Sequence, residues 1–205
     1  MSTRCLVLAA AGFAIGVAQG APVQWQTGLG GNGHWYEFVE SYFGRWDAAR
    51  DAAAASVLEV SPGVFKTGAL ASITSGAENN WLVAHVYPPV PVGWNYAKVW
   101  LGGYQDPSDP GYSEPAGGWK WVVPAGESPE PWSYTNWYFG EPNGQPGEDY
   151  LEAFLHLGGA WNDIDIAGGV PNSWTIGWIT EWVPEPGAVV LLLVSGALLR
   201  PRIRG

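Results

Sequence analysis

Cysteine is almost missing from this sequence, since Cys5 is the only one among 205 residues. Cys5 lies in the N-terminal segment 1–20, which is predicted to be removed on export, so the mature chain would contain no cysteine. This excludes disulfide bonds, thiol chemistry and a cysteine-based zinc site from the processed protein. The fold must therefore be held by packing, hydrogen bonds and bound ions.

Positive charge is also scarce, because 9 Lys and Arg stand against 19 Asp and Glu and the formal net charge is −10. Three of the nine basic residues (Arg200, Arg202 and Arg204) lie in the last six positions, so the central part of the chain is more acidic still. Such a surface repels phosphate backbones and has no basic patch to displace their counterions. Nucleic-acid binding is thereby excluded, whereas hard cations suit an acidic domain.

Sequence patterns of common enzymes and of repeat proteins are missing too. The chain has no GxSxG, P-loop, HExxH or dinucleotide-binding pattern, so the main hydrolase and nucleotide-binding mechanisms have no support. No internal period is visible, which excludes a repeat architecture. We therefore predict that the protein is not an enzyme.

The chain is rich in the residues of an irregular, loop-rich fold: 14 Trp, 29 Gly and 17 Pro, with 47% apolar residues overall. This composition predicts one globular domain rather than a helical bundle. The first 20 residues have a basic start, an apolar stretch and a small-x-small end, as in a secretory signal peptide. We predict a signal peptide at 1–20, a Gly-rich lead segment at 21–33, a domain at 34–182 and a separate C-terminal segment at 183–205.

The C-terminal segment contains Pro184-Glu185-Pro186, a 13-residue apolar run at 187–199 and an arginine-rich end. The run is shorter than the roughly 20 residues that a bilayer-spanning helix needs, and the arginines would act as a cytoplasmic stop. The order of the three parts resembles the PEP-CTERM sorting signal of bacterial proteins processed by an exosortase-type enzyme. The resemblance implies export to the cell envelope or extracellular polysaccharide matrix, transient membrane anchoring by a short hydrophobic helix, and cleavage near Pro184–Pro186. A plain tail anchor is the alternative.

Within the domain, local patterns predict two helices and several strands. An Ala-rich helix is predicted at 45–58, and a second helix follows the capping box that Ser75 and Glu78 form. Leu82 and Val86, four residues apart, are predicted to face inward together from this second helix. Residues with alternating or aromatic and β-branched character predict strands at 34–39, 98–102, 119–121, 150–157 and 174–182. The long stretches 105–118 and 128–147 are irregular, which is unusual unless loops are functional or ordered by a ligand.

Carboxylates and carboxamides are concentrated in three short motifs, at 141–143, 148–149 and 161–163. Ca²⁺ takes six to eight oxygen ligands of this kind. Five side chains and the carbonyl of Asp163 would leave two coordination places for neighbouring sugar hydroxyls, and amide donors would alternate with carboxylate acceptors around the diol. The predicted Ca²⁺ and sugar ligands are Glu141, Asn143, Glu148, Asn162 and Asp163.

The order of these motifs in the frame of the domain resembles the C-type lectin-like family. The resemblance covers 34–182 and includes Leu70-Ala71-Ser72-Ile73, Trp100-Leu101-Gly102-Gly103, Asn136-Trp137, Gly140-Glu141-Pro142-Asn143, Glu148-Asp149 and Trp161-Asn162-Asp163. It implies an α+β fold with two helices, small antiparallel sheets and long Ca²⁺-binding loops. It also implies a cis bond before Pro142, Trp161 packed beneath an Asn162-Asp163 turn, and a preference for mannose- or glucose-type sugars.

Two departures from the family pattern concern stability and a second ion. The family's four framework cysteines are replaced by Ala53, Tyr150, Ile166 and Thr180, so the fold is predicted to be disulfide-free. Asp106, Glu114 and Asp149 match the ligands of a second Ca²⁺ site, but Gly144 stands where an acidic residue often follows the EPN triplet. Asp106, Asp109 and Glu114 could equally form a solvated loop.

Other interpretations stay open at this point. Glu141 and Glu148 could form a glycosidase acid/base pair. The same fold could be a Ca²⁺-stabilised adhesion or structural protein with a protein ligand, because fold alone does not decide function. Trp132 and Tyr134 could stack on a sugar ring, whereas Trp119 and Trp121 are predicted to be core residues. The three histidines, His34, His85 and His156, have no metal-ligand spacing and are predicted to be structural or on the surface.

Overall fold

The computed structural model of the chain describes residues 20–42, 44–93, 96–168 and 174–184. The signal peptide predicted at 1–20 lies outside these residues except for Gly20, and the sorting segment predicted at 183–205 except for Val183 and Pro184. Both segments therefore remain predictions. In the described ranges, no helix is long and apolar enough to cross a membrane.

Ten strands and two α-helices make up the described part of the chain. The strands are Val23–Gln24 (β1), Trp35–Glu40 (β2), Val57–Ser61 (β3), Val64–Thr67 (β4), Ala69–Leu70 (β5), Lys98–Gln105 (β6), Trp119–Trp121 (β7), Tyr150–Phe154 (β8), Ala160–Ile164 (β9) and Thr175–Trp182 (β10). The helices are Trp46–Ala55 (α1) and Gly76–His85 (α2), and two short 3₁₀ turns lie at Thr27–Leu29 and Leu155–Leu157.

One eight-stranded sheet forms the centre of the domain, in the order β1-β2-β10-β6-β8-β9, with β5 paired to β10 and β7 paired to β6. β10 runs antiparallel to β2 but parallel to β6, where Trp178 lies opposite Trp100. Strands β3 and β4 form a separate hairpin. The α+β architecture with two helices agrees with the prediction, while most strands join one mixed sheet instead of small antiparallel ones.

The first helix is shorter than the predicted 45–58. It ends at Ala55, and the next residues form β3, which pairs with β4 in an antiparallel hairpin. The alanines favour a helix, but Val57 and Val60 are β-branched and lose side-chain freedom in one, so the hairpin takes these residues.

The second helix begins where its capping motif predicts. The Ser75 side chain accepts a hydrogen bond from the backbone N–H of Glu78 at 3.1 Å. The Glu78 carboxylate reaches one residue further back than in the standard capping box, to the N–H of Thr74 at 2.7 Å. Leu82 and Val86 are both buried in the core, which confirms their predicted orientation.

Two core clusters lie on opposite faces of the sheet, and β6 shows how the sequence separates them. Val99 and Leu101 enter the larger cluster, which packs against α2, while Trp100 between them enters the smaller cluster beneath α1. Successive side chains of a strand point to opposite faces, which explains the division. The central strand therefore contributes to both cores.

Packed side chains fill the four positions at which the C-type lectin-like family carries framework cysteines. Ala53 belongs to the smaller core cluster, and Tyr150 and Ile166 pack against the same cluster. Thr180 is buried, and it lies near Ala53 because both residues border Gly68. A methyl group added at Gly68 would lie 2.7 Å from Thr180 Cγ2 and 2.8 Å from the Ala53 carbonyl oxygen. Side-chain packing thus occupies the space that two disulfides would take.

Candidate functional site

The loop that contains Glu141-Pro142-Asn143 is fastened to strand β9 by Asp163. One carboxylate oxygen of Asp163 accepts the backbone N–H of Asn143 at 3.1 Å, and the other accepts that of Gly144 at 2.9 Å. Asp163 is fully buried, at 0% exposed. A buried carboxylate that accepts two backbone donors holds the loop in one position.

Backbone contacts also fix the chain just before this loop. Tyr138 N–H donates to the Trp161 carbonyl at 2.8 Å, and Trp161 N–H donates to the Asn136 carbonyl at 2.8 Å. Glu141 N–H then donates to the Tyr138 carbonyl at 2.9 Å and closes a tight turn. The bond between Glu141 and Pro142 is cis, as the resemblance implies. Asn162 and Asp163 lie within strand β9, so the prediction that they form a turn was wrong.

Glu148 approaches the site from the other end of the loop. Its backbone N–H donates to the Gln145 carbonyl at 3.0 Å, and Gln145 N–H donates to Oδ1 of Asn143 at 3.2 Å. The exposed Asn143 keeps a second lone pair on Oδ1 for another partner. The chain therefore folds back on itself between Asn143 and Glu148, and strand β8 starts two residues later.

Asn162 is held by a buried polar network that the sequence analysis did not identify. Glu152, directly opposite Asn162 in the β8–β9 ladder, accepts its Nδ2 at 2.9 Å. The same carboxylate accepts Lys98 Nζ at 2.5 Å and Thr175 Oγ1 at 3.4 Å. Since only the amide nitrogen can donate to a carboxylate, this contact orients the Asn162 amide and leaves its oxygen for other partners. The available signal was a single acidic residue between apolar neighbours in β8.

Negative charge accumulates where these elements meet. Burial, together with the neighbouring Asp163 carboxylate, raises the pKa of Glu141 to about 7. Burial and the charge of Asp163 also raise the pKa of Glu148. One carboxylate oxygen each of Glu141 and Glu148, Oε2 in both cases, is buried without a hydrogen-bond donor. A divalent cation would offset the repulsion between these crowded carboxylates and would bind the oxygens that have no hydrogen-bond donor.

The donor set fits Ca²⁺ only if the amides take part. Within the described ranges, no three His, Cys, Asp or Glu side chains are arranged to hold a metal by themselves. Glu141, Glu148 and Asp163 supply three carboxylates, and Asn143 and Asn162 supply two amide oxygens. Hard oxygen donors of this mixture are the ligands that Ca²⁺ prefers. Contacts and charge effects bring Glu141, Asn143, Glu148 and Asp163 together at β9 and the loop between 141 and 148. Asn162 precedes Asp163 in the same strand, so its side chain points to the opposite face, where it contacts Glu152.

Calcium affinity is expected to fall in acid because of Glu141. Its carboxyl group must lose a proton to bind the ion, and with a pKa of about 7 it is largely protonated at pH 5.5. One displaced proton weakens apparent affinity about tenfold per pH unit below pH 7. Calorimetric Ca²⁺ titrations at pH 5.5, 6.5 and 8 measure this slope. Equal affinities at all three values would contradict the assignment of Glu141 as a ligand.

The buried network supports stability as well as orientation. Replacing Glu152 with alanine is expected to lower the free energy of unfolding by about 3–5 kcal/mol, because the Lys98 ammonium would stay buried without a partner. Lys98 has only 12% of its side chain exposed, so water cannot readily replace the carboxylate. Urea denaturation measures the loss, with Glu59→Ala on an exposed position of β3 as the control. A loss no larger than that of the control would show that the ion pair is not needed.

The predicted second-site residues are only partly brought together. Tyr112 Oη donates a hydrogen bond to Glu114 at 2.6 Å and lies 3.5 Å from the Asp149 carboxylate. Burial raises the pKa of Asp149, and the negative charge of Glu114 raises it further. Asp106 lies apart from this pair, with its carboxylate 3.8 Å from Lys120 Nζ, which also pairs with Asp109. The set of three is therefore split, and the solvated-loop interpretation applies to Asp106 and Asp109.

Gly144 lies against the second acidic pair. A Cβ at this position would stand 2.9 Å from Glu114 Oε2 and 2.8 Å from Pro115 Cβ. Glu114-Pro115 itself contains a second cis peptide bond, which the sequence analysis did not predict. The glycine that departs from the family pattern thus gives the Glu114 segment room to approach the EPN loop.

Tryptophan packing supports the site from below. Trp161 is fully buried, and its ring contacts the rings of Trp121, Trp132, Tyr134 and Trp137 at centroid distances of 5.5–5.7 Å. This agrees with the predicted place of Trp161 beneath the ligand residues. Trp132 also stacks on Trp119 at 5.5 Å, so Trp132 and Tyr134 pack against the core rather than standing free for a sugar.

The histidines have structural partners. His34 Nδ1 lies 2.6 Å from Glu181 Oε1, His85 stacks on Trp81 at 4.9 Å, and His156 contacts Tyr96. None of the three lies among the five candidate ligands, which agrees with their predicted roles.

Comparison with solved structures identifies the architecture. CEL-I, a C-type lectin from Cucumaria echinata, is similar with a TM-score of 0.52 and 21% identity over 73% of this chain and 89% of its own. The C-type carbohydrate-recognition domain of cow CD23 is similar with a TM-score of 0.52 and 24% identity over 80% of this chain and 94% of its own. The chain has the C-type lectin-like fold.

Sequence comparison gives a narrower result for this lectin-like chain. It is 30% identical over 97 residues to a perlucin-like protein of Mytilus galloprovincialis, which corresponds to 47% of this chain and 53% of the relative. The chain thus spans about half the length of the curated relative that it matches. No protein-family model matches the sequence. The relatives named here are lectins and a lectin-like protein, in agreement with the prediction that this protein is not an enzyme.

Proposed function

We propose that this lectin-like protein binds carbohydrate through a Ca²⁺ ion held by Glu141, Asn143, Glu148, Asn162 and Asp163. The observation that carries the proposal is the attachment of the EPN loop to strand β9 by the two carboxylate oxygens of Asp163. This attachment holds the loop of Glu141 and Asn143 against Asp163, and Glu148 lies near the same carboxylate, since burial and the charge of Asp163 raise the pKa of Glu148. Ca²⁺ would neutralise these carboxylates and present two coordination places to a pair of sugar hydroxyls.

The chain's own side chains would fix the orientation of the sugar. Asn162 uses one amide proton on Glu152 and keeps the other. The Asn143 amide donates one proton to Glu141 and keeps the other for a further acceptor. Glu141 and Glu148 each have an oxygen free of protein donors. Amide donors and carboxylate acceptors can therefore alternate around a vicinal diol. The preferred sugars would be of the mannose or glucose type, whose diol hydroxyls are both equatorial.

The glycosidase alternative receives less support from the same geometry. An acid/base pair needs one protonated and one ionised carboxyl group facing each other across a substrate bond. Here Glu141 and Glu148 both adjoin Asp163, and the pKa of each is raised. Two amides and a third carboxylate surround them. Such a set suits coordination of an ion better than proton transfer.

Export, sorting and transient membrane anchoring belong to the same proposal. The segments that would direct them, 1–20 and 183–205, are defined by sequence patterns alone. Under this proposal an exosortase-type enzyme processes the C-terminus, and the domain acts in the cell envelope or extracellular polysaccharide matrix. The domain would then meet its glycan ligand outside the cell.

Elution from a glycan column tests the proposal. The protein is loaded on immobilised mannose in Ca²⁺, and free mannose or glucose is expected to elute it as completely as a chelator does. Galactose at the same concentration serves as the control sugar and is expected to leave most of it bound. Elution by chelator alone would indicate a Ca²⁺-stabilised adhesion protein, and failure to bind the column would contradict the carbohydrate function.

A further inference from the structure

Phe139 is the most exposed aromatic side chain among the described residues, at 95% exposed. Three other aromatic residues of the same loop, Trp132, Tyr134 and Trp137, contact the ring of Trp161, whereas Tyr138 is 44% exposed. Single apolar residues on a surface are common, so exposure alone indicates nothing. The position of Phe139 relative to the candidate site is what makes its exposure informative.

Phe139 occupies the second position of the tight turn that ends at Glu141. The turn is closed by the Glu141 N–H donating to the Tyr138 carbonyl at 2.9 Å, and Gly140 takes the left-handed conformation, with φ of 93°. A turn of this kind requires a positive φ at its third residue, where glycine is favoured. Two residues of chain span at most about 7 Å, so the backbone of Phe139 lies next to that of a proposed Ca²⁺ ligand.

The turn is anchored and cannot easily carry Phe139 into the core. Tyr138 N–H is bonded to the Trp161 carbonyl at 2.8 Å, and the Tyr138 ring packs edge-on against Phe154 at 5.7 Å. Strand β9, which continues from Trp161 into Asn162 and Asp163, therefore fixes both the ligand residues and the turn. Phe139 is therefore held two residues before Glu141, a position that defines the rim of the candidate site, with its ring in solvent.

The candidate site itself offers a sugar only polar and charged groups. A pyranose ring has polar hydroxyls at its edge and an apolar surface of C–H groups on its faces, and aromatic rings supply matching apolar area. The two open coordination places would hold the hydroxyls of one sugar unit. The neighbouring unit of the same glycan would then lie over the rim.

We propose that Phe139 forms an apolar subsite that stacks on the unit attached to the Ca²⁺-bound sugar. This inference rests on the proposed carbohydrate function and extends it from a monosaccharide to a ligand of at least two units, or to a glycoside with an apolar substituent. Phe139 is thus a specificity-determining residue of the site. The ligand class is a glycan whose second unit presents an apolar face.

Titration of two glycosides that differ only in the attached group tests the subsite. Methyl α-mannoside and phenyl α-mannoside are titrated calorimetrically into the full chain in Ca²⁺. The phenyl compound is expected to bind about 3- to 10-fold more tightly, as one aromatic contact allows. Phe139→Ala is expected to reduce the ratio of the two dissociation constants to about one, and Phe139→Tyr to retain it.

Phe65→Ala is the matched control, because Phe65 is also exposed, at 62%, but lies on the β3–β4 hairpin. It is expected to leave the ratio unchanged, and Ca²⁺ affinity measured on the same samples reports that each variant is folded. Equal binding of both glycosides by the unmodified protein would overturn the subsite while the proposed function stands. A preference that persists in Phe139→Ala would overturn it too. Binding of neither glycoside would overturn the carbohydrate function and the subsite together.

Discussion

Replacing Asp163 with asparagine is expected to weaken Ca²⁺ binding by about 100-fold or more. Asp163 serves twice: its carboxylate is a proposed ligand, and its two oxygens accept the backbone N–H groups of Asn143 and Gly144. Asparagine keeps one oxygen, but its amide nitrogen would face a backbone donor, and a buried donor without an acceptor costs stability. The variant therefore loses negative charge and loosens the loop at once. Isothermal calorimetry of Ca²⁺ binding measures the effect.

Asp51→Asn is the matched control for this substitution. Asp51 lies on α1 with 69% of its side chain exposed, and it pairs with Arg50, whose side chain is 43% exposed. The same chemical change there is expected to leave Ca²⁺ affinity within about twofold, because exposed ion pairs contribute little. Retention of nearly full affinity in Asp163→Asn would mean that the ion, if it binds, lies elsewhere.

The double substitution Glu141→Gln with Asn143→Asp is expected to move sugar preference toward galactose-type diols. The total charge of the site stays the same, since one carboxylate is lost and one gained, so Ca²⁺ should still bind. The order of donor and acceptor around the diol is reversed, which favours a pair with one axial and one equatorial hydroxyl. We expect the ratio of galactose to mannose affinity to rise about tenfold or more, which corresponds to about 1.4 kcal/mol.

Competition experiments with methyl galactoside and methyl mannoside measure this ratio in the double variant and in the unmodified protein. Calcium affinity determined in parallel separates loss of the ion from a change in sugar choice. If the double variant binds Ca²⁺ normally and keeps its original preference, Glu141 and Asn143 do not contact the diol. The ion would then have a structural role only.

Much of the architecture could be predicted because the informative residues act locally. Ser75 and Glu78 define the start of α2 through one-turn contacts, and the four-residue spacing of Leu82 and Val86 gives its buried side. The C-type lectin-like fold itself followed from the order of short motifs along 34–182, and the structural comparisons confirm it. The positions of the five proposed ligands followed from the same motifs.

The features that were missed depend on contacts between distant parts of the chain. The end of α1 at Ala55 depends on β3 pairing with β4, because alanine propensity alone would continue the helix. The Asn162-Asp163 segment becomes a strand because β8 pairs with it, residue by residue. Local sequence could not indicate either pairing.

The buried network around Glu152 could not be predicted from the sequence for the same reason. Glu152 and Lys98 are 54 positions apart and meet only because β6 and β8 are neighbours. The split of the predicted second site arises because Lys120 on β7 faces Asp106 and Asp109. Sequence motifs named the residues that carry ligand chemistry, whereas the sheet decides which of them meet.

Calcium titration of the purified, tag-free protein by calorimetry at pH 8 is the most direct test of the whole account. At this pH Glu141 is mostly ionised, so proton competition is small. We predict a saturable heat of binding with a dissociation constant of about 10⁻⁴–10⁻³ M, as is usual for extracellular modules. No heat of binding up to about 10 mM, well above that range, would contradict the proposal that these five side chains form a Ca²⁺ site.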